Sequence, residues 1–205
     1  MKAIMISIKP KWVAKILNGE KTIEVRKKFP KDYVGWVYLY CSKSNTQYLV
    51  GSKTQKCEII TKSANARFSP NIDKYTGNGK VVARFWCDKV EEITPFEEYE
   101  SPFGMAYKLT KDKIVCCQKA QLTYDEYNHY LKGKNGYAIY ISNLKIFDKP
   151  KELSEFSAFR KPYWNKKTKE FIKEEQKMFG CRIFRVSRLK PLTKAPQNFC
   201  YVEVE

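Results

Sequence analysis

The sequence predicts an α+β fold, a mixed β-barrel whose ends are plugged by short helices. Three observations predict it. Apolar segments with strand-like alternation recur along the 205-residue chain, helical patterns are few and short, and the strands do not alternate regularly with long helices. Because regular alternation is typical of a doubly wound parallel sheet, the sequence excludes that architecture. We expect the first and last strands to pair and so to close the barrel.

Strand patterns are short apolar runs or alternations of apolar with polar residues. Within residues 22–26, Ile23 and Val25 share one face. The other face of this strand carries Glu24 and Arg26 together, because successive side chains of a strand point to opposite sides. The predicted strands cover residues 2–7, 22–26, 36–41, 79–90, 137–142, 144–147, 181–188 and 197–204.

Helix signals are caps and prolines rather than long amphipathic stretches. Pro10 fits the first turn of a short helix, which Gly19 can end. Thr123 and Glu126 have the spacing of a capping box, which predicts a second helix beginning there. The predicted helices cover residues 10–19 and 123–132, with shorter helical segments starting at residue 94, within 151–159 and over 166–177, and with a long connection over 43–78.

The composition excludes several classes of protein. No apolar stretch reaches the roughly 18 residues of a membrane helix, and Lys9 and Pro10 interrupt any signal-peptide pattern, so we expect a cytoplasmic protein without membrane contact. The seven cysteines form no C-x-x-C pair, and several lie in apolar runs, which predicts free thiols. The single histidine, His129, has no second ligand at short spacing. We therefore expect no metal site and no cofactor.

The charge is strongly positive and unevenly distributed. Lysine and arginine number 39 against 22 acidic residues, for a net charge of +17. Basic stretches run through residues 9–31 and 160–194, and such asymmetry favours a polyanion. RNA or another single-stranded nucleic acid is the expected partner, although a basic surface also serves solubility. The side chains expected to contact the phosphate backbone are Lys166, Lys167, Arg182, Arg185 and Arg188.

Residues 19–26 are the most informative part of the sequence. Lys21 lies in a turn between helix and strand, and Glu24 and Arg26 follow two residues apart on one strand face. A carboxylate beside an arginine stays ionised and orients it, so lysine and arginine remain able to receive a phosphate or the polar edge of a base. Spacing alone favours the alternative interpretation, a surface ion pair of about 0–1 kcal/mol.

Gly19-Glu-Lys-Thr-Ile-Glu-Val-Arg26, with Ile8-Lys-Pro10 before it, resembles the signature of ASCH domains. The resemblance implies a PUA-like β-barrel that binds RNA, or a small modified nucleotide, in a basic cleft beside the glycine turn. It implies one domain over residues 1–205, with an insertion at about 43–78 and a basic C-terminal extension at about 157–190. Residues 137–153 and 195–202 resemble longer phage and prophage members. The ligand-binding positions carried over from the family are Lys9, Lys21, Glu24, Arg26 and Ser42.

Two alternatives to binding alone remain open. One branch of the family hydrolyses acetylated cytidine, which suggests a nucleoside or RNA hydrolase with Lys21 and Glu24 as an acid–base pair. This sequence departs from that branch, because Glu24 replaces its nucleophilic threonine and no acid stands just before Thr123. RNA cleavage assisted by Lys21, Tyr40 or Ser42 is a variant of the same alternative. The second alternative is a phage-encoded factor that interferes with a host nucleic-acid defence system.

Overall fold

The computed structural model describes residues 2–52, 56–61, 74–159, 164–165, 170–171, 175–178, 181–184 and 189–203. Its helices are α1 Pro10–Leu17, α2 Lys111–Ala120 and α3 Tyr124–Leu131, with one 3-10 turn at Leu153–Glu155. Its strands are β1 Lys2–Ile8, β2 Ile23–Arg26, β3 Gly35–Cys41, β4 Gln47–Ser52, β5 Glu58–Thr61, β6 Lys74–Thr76, β7 Val81–Cys87, β8 Val90–Ile93, β9 Glu98–Ser101, β10 Gly104–Tyr107, β11 Gly136–Tyr140, β12 Ser142–Lys151, β13 Ser157–Phe159, β14 Trp164–Asn165, β15 Glu170–Phe171, β16 Glu175–Met178, β17 Cys181–Phe184, β18 Leu189–Pro191 and β19 Phe199–Glu203.

The main sheet has seven strands in the order β12-β7-β3-β1-β19-β13-β18. Its central strand β1 runs parallel to β3 and antiparallel to β19, so the first and last strands pair as the sequence predicts. A second sheet has the order β2-β11-β8, and a third, within the predicted connection, has the order β5-β4-β6. The strand pairs β9–β10, β14–β15 and β16–β17 are separate antiparallel pairs.

The α+β class is confirmed, but the described strands form no closed barrel. The main sheet ends at β12 on one side and at β18 on the other, and these two strands are not hydrogen-bonded to each other. The chain passes from β11 to β12 through the single residue Ile141, so the three-stranded sheet directly follows the main sheet along the chain.

Both faces of the central strand β1 are buried. Ile4, Ile6 and Ile8 alternate with Ala3 and Met5, so one strand supplies two separate cores. Helix α1 covers the isoleucine face and buries its own apolar side chains, Val13, Ala14, Ile16 and Leu17, against it. This packing holds α1 against the main sheet.

A third core lies under helices α2 and α3. Ile23 and Val25 of β2 pack there with Tyr127 and Leu131 of α3. The inward face of β2 is therefore committed to the core. The face with Glu24 is left for other contacts, as the alternation of residues 22–26 predicts.

Two predicted helical segments are wrong. Residues 94–97 contain no helix and lead into β9, and Glu170–Phe171 and Glu175–Met178 of the predicted segment 166–177 are strands. In the second case, β16 pairs with β17 in antiparallel fashion, so hydrogen bonds to a neighbouring strand outweigh helix propensity. The predicted strand 79–90 is interrupted between β7 and β8 at residues 88–89.

Asn128 explains why residues 94–97 are not helical. The side-chain amide of this buried α3 residue pairs with both polar groups of the Phe96 backbone. Asn128 Oδ1 accepts from Phe96 N at 2.7 Å, and Asn128 Nδ2 donates to Phe96 O at 3.1 Å. Because the backbone of Phe96 is satisfied by a side chain from another element, it needs no helical partner.

We expect Asn128→Ala to destabilise the protein by about 1–3 kcal/mol, because the buried Phe96 N–H and C=O would lose their partners. Urea-induced unfolding of wild type and variant measures the difference. His129→Ala, at the next and exposed position of α3, is the matched control and should leave the midpoint unchanged. Equal losses in both variants would contradict this account of the segment.

Candidate functional site

A cavity of about 1060 Å³ opens where β1, β2, β3 and α1 meet. The ends of β1 and β3 and the first turn of α1 form its floor, and α3 contributes Tyr130. The 3-10 turn at Leu153–Glu155 and residues 192–197 close the opposite side. Its size is at the upper end of the range of small-molecule and cofactor sites.

Lys21 reaches this cavity because of the way α1 ends. Asn18 caps the helix, and Gly19 takes the left-handed conformation with φ +75°, which a side chain would disfavour. The backbone N–H groups of Glu20 and Lys21 both donate to the carbonyl of Lys15. The turn thus brings Lys21 back beneath the helix before β2 begins.

Glu24 and Arg26 are placed by strand pairing. β2 is antiparallel to β11, with Glu24 opposite Ile139 and Arg26 opposite Tyr137. Two residues apart on one strand, the two side chains share the face that lines the cavity. The structure therefore brings together the three motif residues that the sequence analysis singled out.

The three side chains form a buried ionic group, which we call the ion triad: Lys21, Glu24 and Arg26. Lys21 Nζ lies 3.4 Å from Glu24 Oε2, and Arg26 Nε lies 3.0 Å from Glu24 Oε1. The side chains are only 2%, 9% and 10% exposed, respectively. Two cations around one carboxylate leave one excess positive charge at the cavity wall. The spacing of these residues favoured a surface ion pair. That prediction is wrong, because all three side chains are buried.

Arg26 keeps an unused donor at this wall. One terminal nitrogen, Nη2, donates to the carbonyl of Ser7 at 2.5 Å, which ties β2 to the end of β1. Arg26 Nε is buried and has no hydrogen-bond partner among the described residues, so its 3.0 Å contact with Glu24 is ionic without hydrogen-bond geometry. Such a buried donor is rare and costly.

Burial governs the charge of Lys21. Desolvation lowers the pKa of Lys21 below its ordinary value, and the attraction of Glu24 opposes that shift without cancelling it. Lys21 Nζ also donates to the carbonyl of Ala120 at 2.6 Å and lies 5.3 Å from the centre of the Trp12 ring. The lysine is thus held in place from several sides.

The lowered pKa predicts that wild type gains stability relative to a Lys21→Met variant as pH rises. Between the lowered pKa and 10.5, the unfolded chain binds a proton that the folded chain does not, so the free energy of unfolding increases with pH. Urea unfolding of both proteins from about pH 7 to about pH 10 measures the difference. A difference that falls with pH would contradict the assignment of desolvation as the dominant cause.

The other carried-over positions also line the cavity. Lys9 is exposed at the start of α1, and Ser42 directly follows β3. Tyr40, the candidate helper of RNA cleavage, lines the cavity as well but is only 5% exposed. Tyr40 therefore belongs to the core and also contributes to the cavity wall, so the structure agrees with both interpretations of this residue.

The amino-acid sequence matches the model of a known protein family. The model of the ASCH domain matches residues 6–151, which is more than half of the chain. The chain belongs to the ASCH domain family. The resemblance inferred from residues 19–26 is thereby confirmed, whereas the boundaries of the insertion and the extension stay predictions. Among curated proteins, no match to this chain is found.

Solved structures of other ASCH proteins are similar to this ASCH domain. Three come from Zymomonas mobilis, the protein itself and two single-residue variants, each 13% identical with a TM-score of 0.44. The match to the first variant covers 75% of this chain and 77% of the variant's chain. The match to the protein itself covers 74% of this chain and 73% of the other. The match to the second variant covers 74% of both chains. So low a TM-score supports no transfer of individual residues.

Several cavity residues of this ASCH domain were not singled out as site residues. Trp12 of α1 is not among the predicted site residues, yet it lines the cavity. Tyr130, Lys43 and Lys194 also line it and come from three separate parts of the chain. The position of Trp12 in the first turn of α1, close to Lys9 and Pro10, was the one sequence signal available. The other three residues meet only through tertiary packing.

The predicted backbone-contact residues lie in the least described part of the ASCH domain. Lys166, Lys167, Arg185 and Arg188 fall outside the described residues, and Arg182 belongs to β17 without a described side chain. Their role stays a prediction. Positive charge at the cavity itself comes instead from three exposed lysines at its edge, the rim lysines Lys9, Lys43 and Lys194.

None of the described cysteines lines the cavity. Cys41, Cys87, Cys116, Cys117 and Cys200 are free thiols. Burial raises the pKa of Cys41 and Cys117 to about 12, which keeps these two protonated. Among the described residues, no group of three or more histidine, cysteine or acidic side chains could hold a metal ion. Nor is any described helix long and apolar enough to cross a membrane.

Proposed function

We propose that this ASCH domain binds single-stranded RNA by taking one nucleotide into the cavity. The observation that carries the proposal is the combination, within one cavity, of the ion triad, the aromatic ring of Trp12 and the three rim lysines. Sequence-specific RNA binding typically targets unpaired bases, which stack on aromatic rings and present their polar edges. The lysines would meet the phosphates on either side.

The ion triad suits the edge of a base better than a phosphate alone. Glu24 accepts hydrogen bonds, as from an exocyclic amino group, while the Arg26 guanidinium beside it supplies positive charge. The negative charge of a phosphate would be repelled by the Glu24 carboxylate, which lies between the two cations. The proposal therefore places the base at the ion triad and the phosphates at the rim.

Trp12 supplies the stacking surface in this proposal. We expect Trp12→Leu to weaken RNA binding by about 1–3 kcal/mol, because leucine keeps an apolar contact with the core but has no aromatic face. Trp12→Phe is the matched control and should retain most of the affinity. Fluorescence anisotropy with a labelled single-stranded RNA measures both. Equal affinities of wild type and Trp12→Leu would rule out stacking in the cavity.

A free nucleotide is the smaller ligand that the same cavity could hold. Its volume of about 1060 Å³ exceeds what one nucleoside monophosphate needs. Titration with mononucleotides and with oligonucleotides of increasing length distinguishes the two ligands. Affinity that rises with length and falls steeply with salt supports RNA as the partner, since phosphate contacts accumulate along a strand.

The lowered pKa of Lys21 favours a hydrolase as the second candidate function. A lysine that loses its proton more readily than usual can act as a base, with Glu24 beside it. Lys21 Nζ, however, is already held by the Ala120 carbonyl. Incubation with acetylated cytidine and with labelled RNA in a chelator tests this function. Turnover that Lys21→Met abolishes would support it, and no turnover would end it.

A further inference from the structure

A second surface that is both aromatic and basic lies on the main sheet, outside the cavity. Trp36 of β3 is paired with Trp86 of β7, Tyr38 with Arg84, and Arg84 with Lys145 of β12. Directly paired residues of neighbouring strands share a face of the sheet. We call the surface formed by Trp36, Arg84, Trp86 and Lys145 the tryptophan face.

The cations of the tryptophan face are held against its aromatic rings. The guanidinium carbon of Arg84 lies 4.4 Å from the centre of the Trp36 ring, and Arg84 Nη1 donates to the Tyr38 hydroxyl at 3.2 Å. Lys145 Nζ lies 5.2 Å from the same ring, and the two tryptophan rings meet edge to face at 5.4 Å. The charged groups are therefore preorganised rather than free in solvent.

Neither cation of this face has a carboxylate partner among the described residues. The ion pairs formed among the described residues include neither Arg84 nor Lys145, whereas Lys11, Lys80 and Lys108 of other surfaces each have a carboxylate partner. Lys145 is exposed, and Arg84, Trp36 and Trp86 are partly exposed. Unpaired positive charge beside accessible indole rings is complementary to a strand of phosphates and bases.

The tryptophan face and the cavity are connected by β3. Trp36 and Tyr40 point to the same side of that strand, and Tyr40 lines the cavity. The two residues are four positions apart along the strand, a distance of about 13 Å. A nucleic-acid strand with one nucleotide in the cavity would need only a few more nucleotides to reach the tryptophan face.

We propose that the tryptophan face is a second contact site for single-stranded nucleic acid, where bases stack on Trp36 and Trp86 and phosphates bind Arg84 and Lys145. The inference rests on the proposed function, because the same strand occupies the cavity. It adds a length requirement: only a strand longer than the cavity ligand reaches the second site.

Charge reversal of Lys145 tests the inference. Lys145→Glu should weaken binding of a single strand of about 12 nucleotides at least about fivefold, and should lower the slope of log affinity against log salt by about 0.7. Binding of a trinucleotide should stay unchanged. Lys134→Glu, an exposed lysine outside both surfaces, is the matched control for net charge. Equal losses in the two variants would overturn the inference.

Ultraviolet crosslinking of the wild-type protein to the longer strand gives a test that requires no variant. Crosslinked peptides containing Trp36 or Trp86 support the second site. Crosslinks confined to peptides from residues 9–26 and 192–197 would overturn it and leave the proposed function intact. If neither the trinucleotide nor the longer strand binds, both proposals fail.

Discussion

Glu24→Gln is expected to destabilise the ASCH domain by about 3–5 kcal/mol, because removing the charge of one partner leaves an uncompensated buried charge. Here two cations, Lys21 and Arg26, would lose the carboxylate between them. Neither can relax into solvent, since the side chains are 2% and 10% exposed. The free energy of unfolding in urea measures the loss, and circular dichroism confirms that the variant folds.

Two further variants show whether the loss of stability comes from unpaired buried charge. Glu20→Gln, at an exposed position of the same turn, should leave stability unchanged. Replacing Lys21, Glu24 and Arg26 together with apolar residues of similar volume should cost less than Glu24→Gln alone, because no buried charge remains. A Glu24→Gln variant within about 1 kcal/mol of wild type would contradict the description of the ion triad as a buried ionic group.

Replacement of the rim lysines by alanine is expected to lower affinity for single-stranded RNA about 100-fold at about 0.1 M salt. Each phosphate contact to a single strand contributes about 0.7 to the slope of log affinity against log salt, so three contacts contribute about 2. The residues changed are Lys9, Lys43 and Lys194. Anisotropy titrations at several salt concentrations give affinity and slope together, and a fall in both is expected.

The control for this variant carries the same change in net charge elsewhere. Lys31, Lys111 and Lys134 are exposed lysines that do not line the cavity. Their combined replacement by alanine should change the affinity much less than replacement of the rim lysines. Equal effects of the two triple variants would mean that the net charge of +17 acts without a local site.

Much of the path of the chain around the cavity could be predicted from local signals. Pro10 and Gly19 mark the two ends of α1, and the Thr123–Glu126 capping box marks the start of α3. Each of these residues acts on its own neighbours, through a fixed φ, a positive φ or a side-chain cap. Such effects are present in the sequence before any tertiary contact forms.

Features set by distant contacts could not be predicted. The four consecutive apolar residues of α2, at 114–117, lack helical spacing, so the helix went unrecognised. The backbone of Phe96 depends on Asn128, which is 32 residues away. Closure of the barrel depends on which strand meets β12, and a repeat of apolar residues does not specify edge partners.

The candidate site divides in the same way. The motif placed Lys21, Glu24 and Arg26 on one stretch of chain, and strand alternation alone turns the last two to one face. Their burial depends on α1 and on the Ser7 and Ala120 carbonyls, which lie in other elements. Lys194 approaches the cavity because β19 pairs with β1, a contact between the two ends of the chain.

Chemical-shift mapping with a short single-stranded RNA tests the central claim most directly. Isotope-labelled protein is titrated with a tetranucleotide, and backbone amide and indole resonances are followed. We expect the largest shifts at Lys9, Lys21 to Arg26 and residues 193–197, together with the Trp12 indole. Shifts confined to residues remote from the cavity, with the Trp12 indole and the amides of the ion triad unmoved, would contradict the claim that the cavity receives a nucleotide.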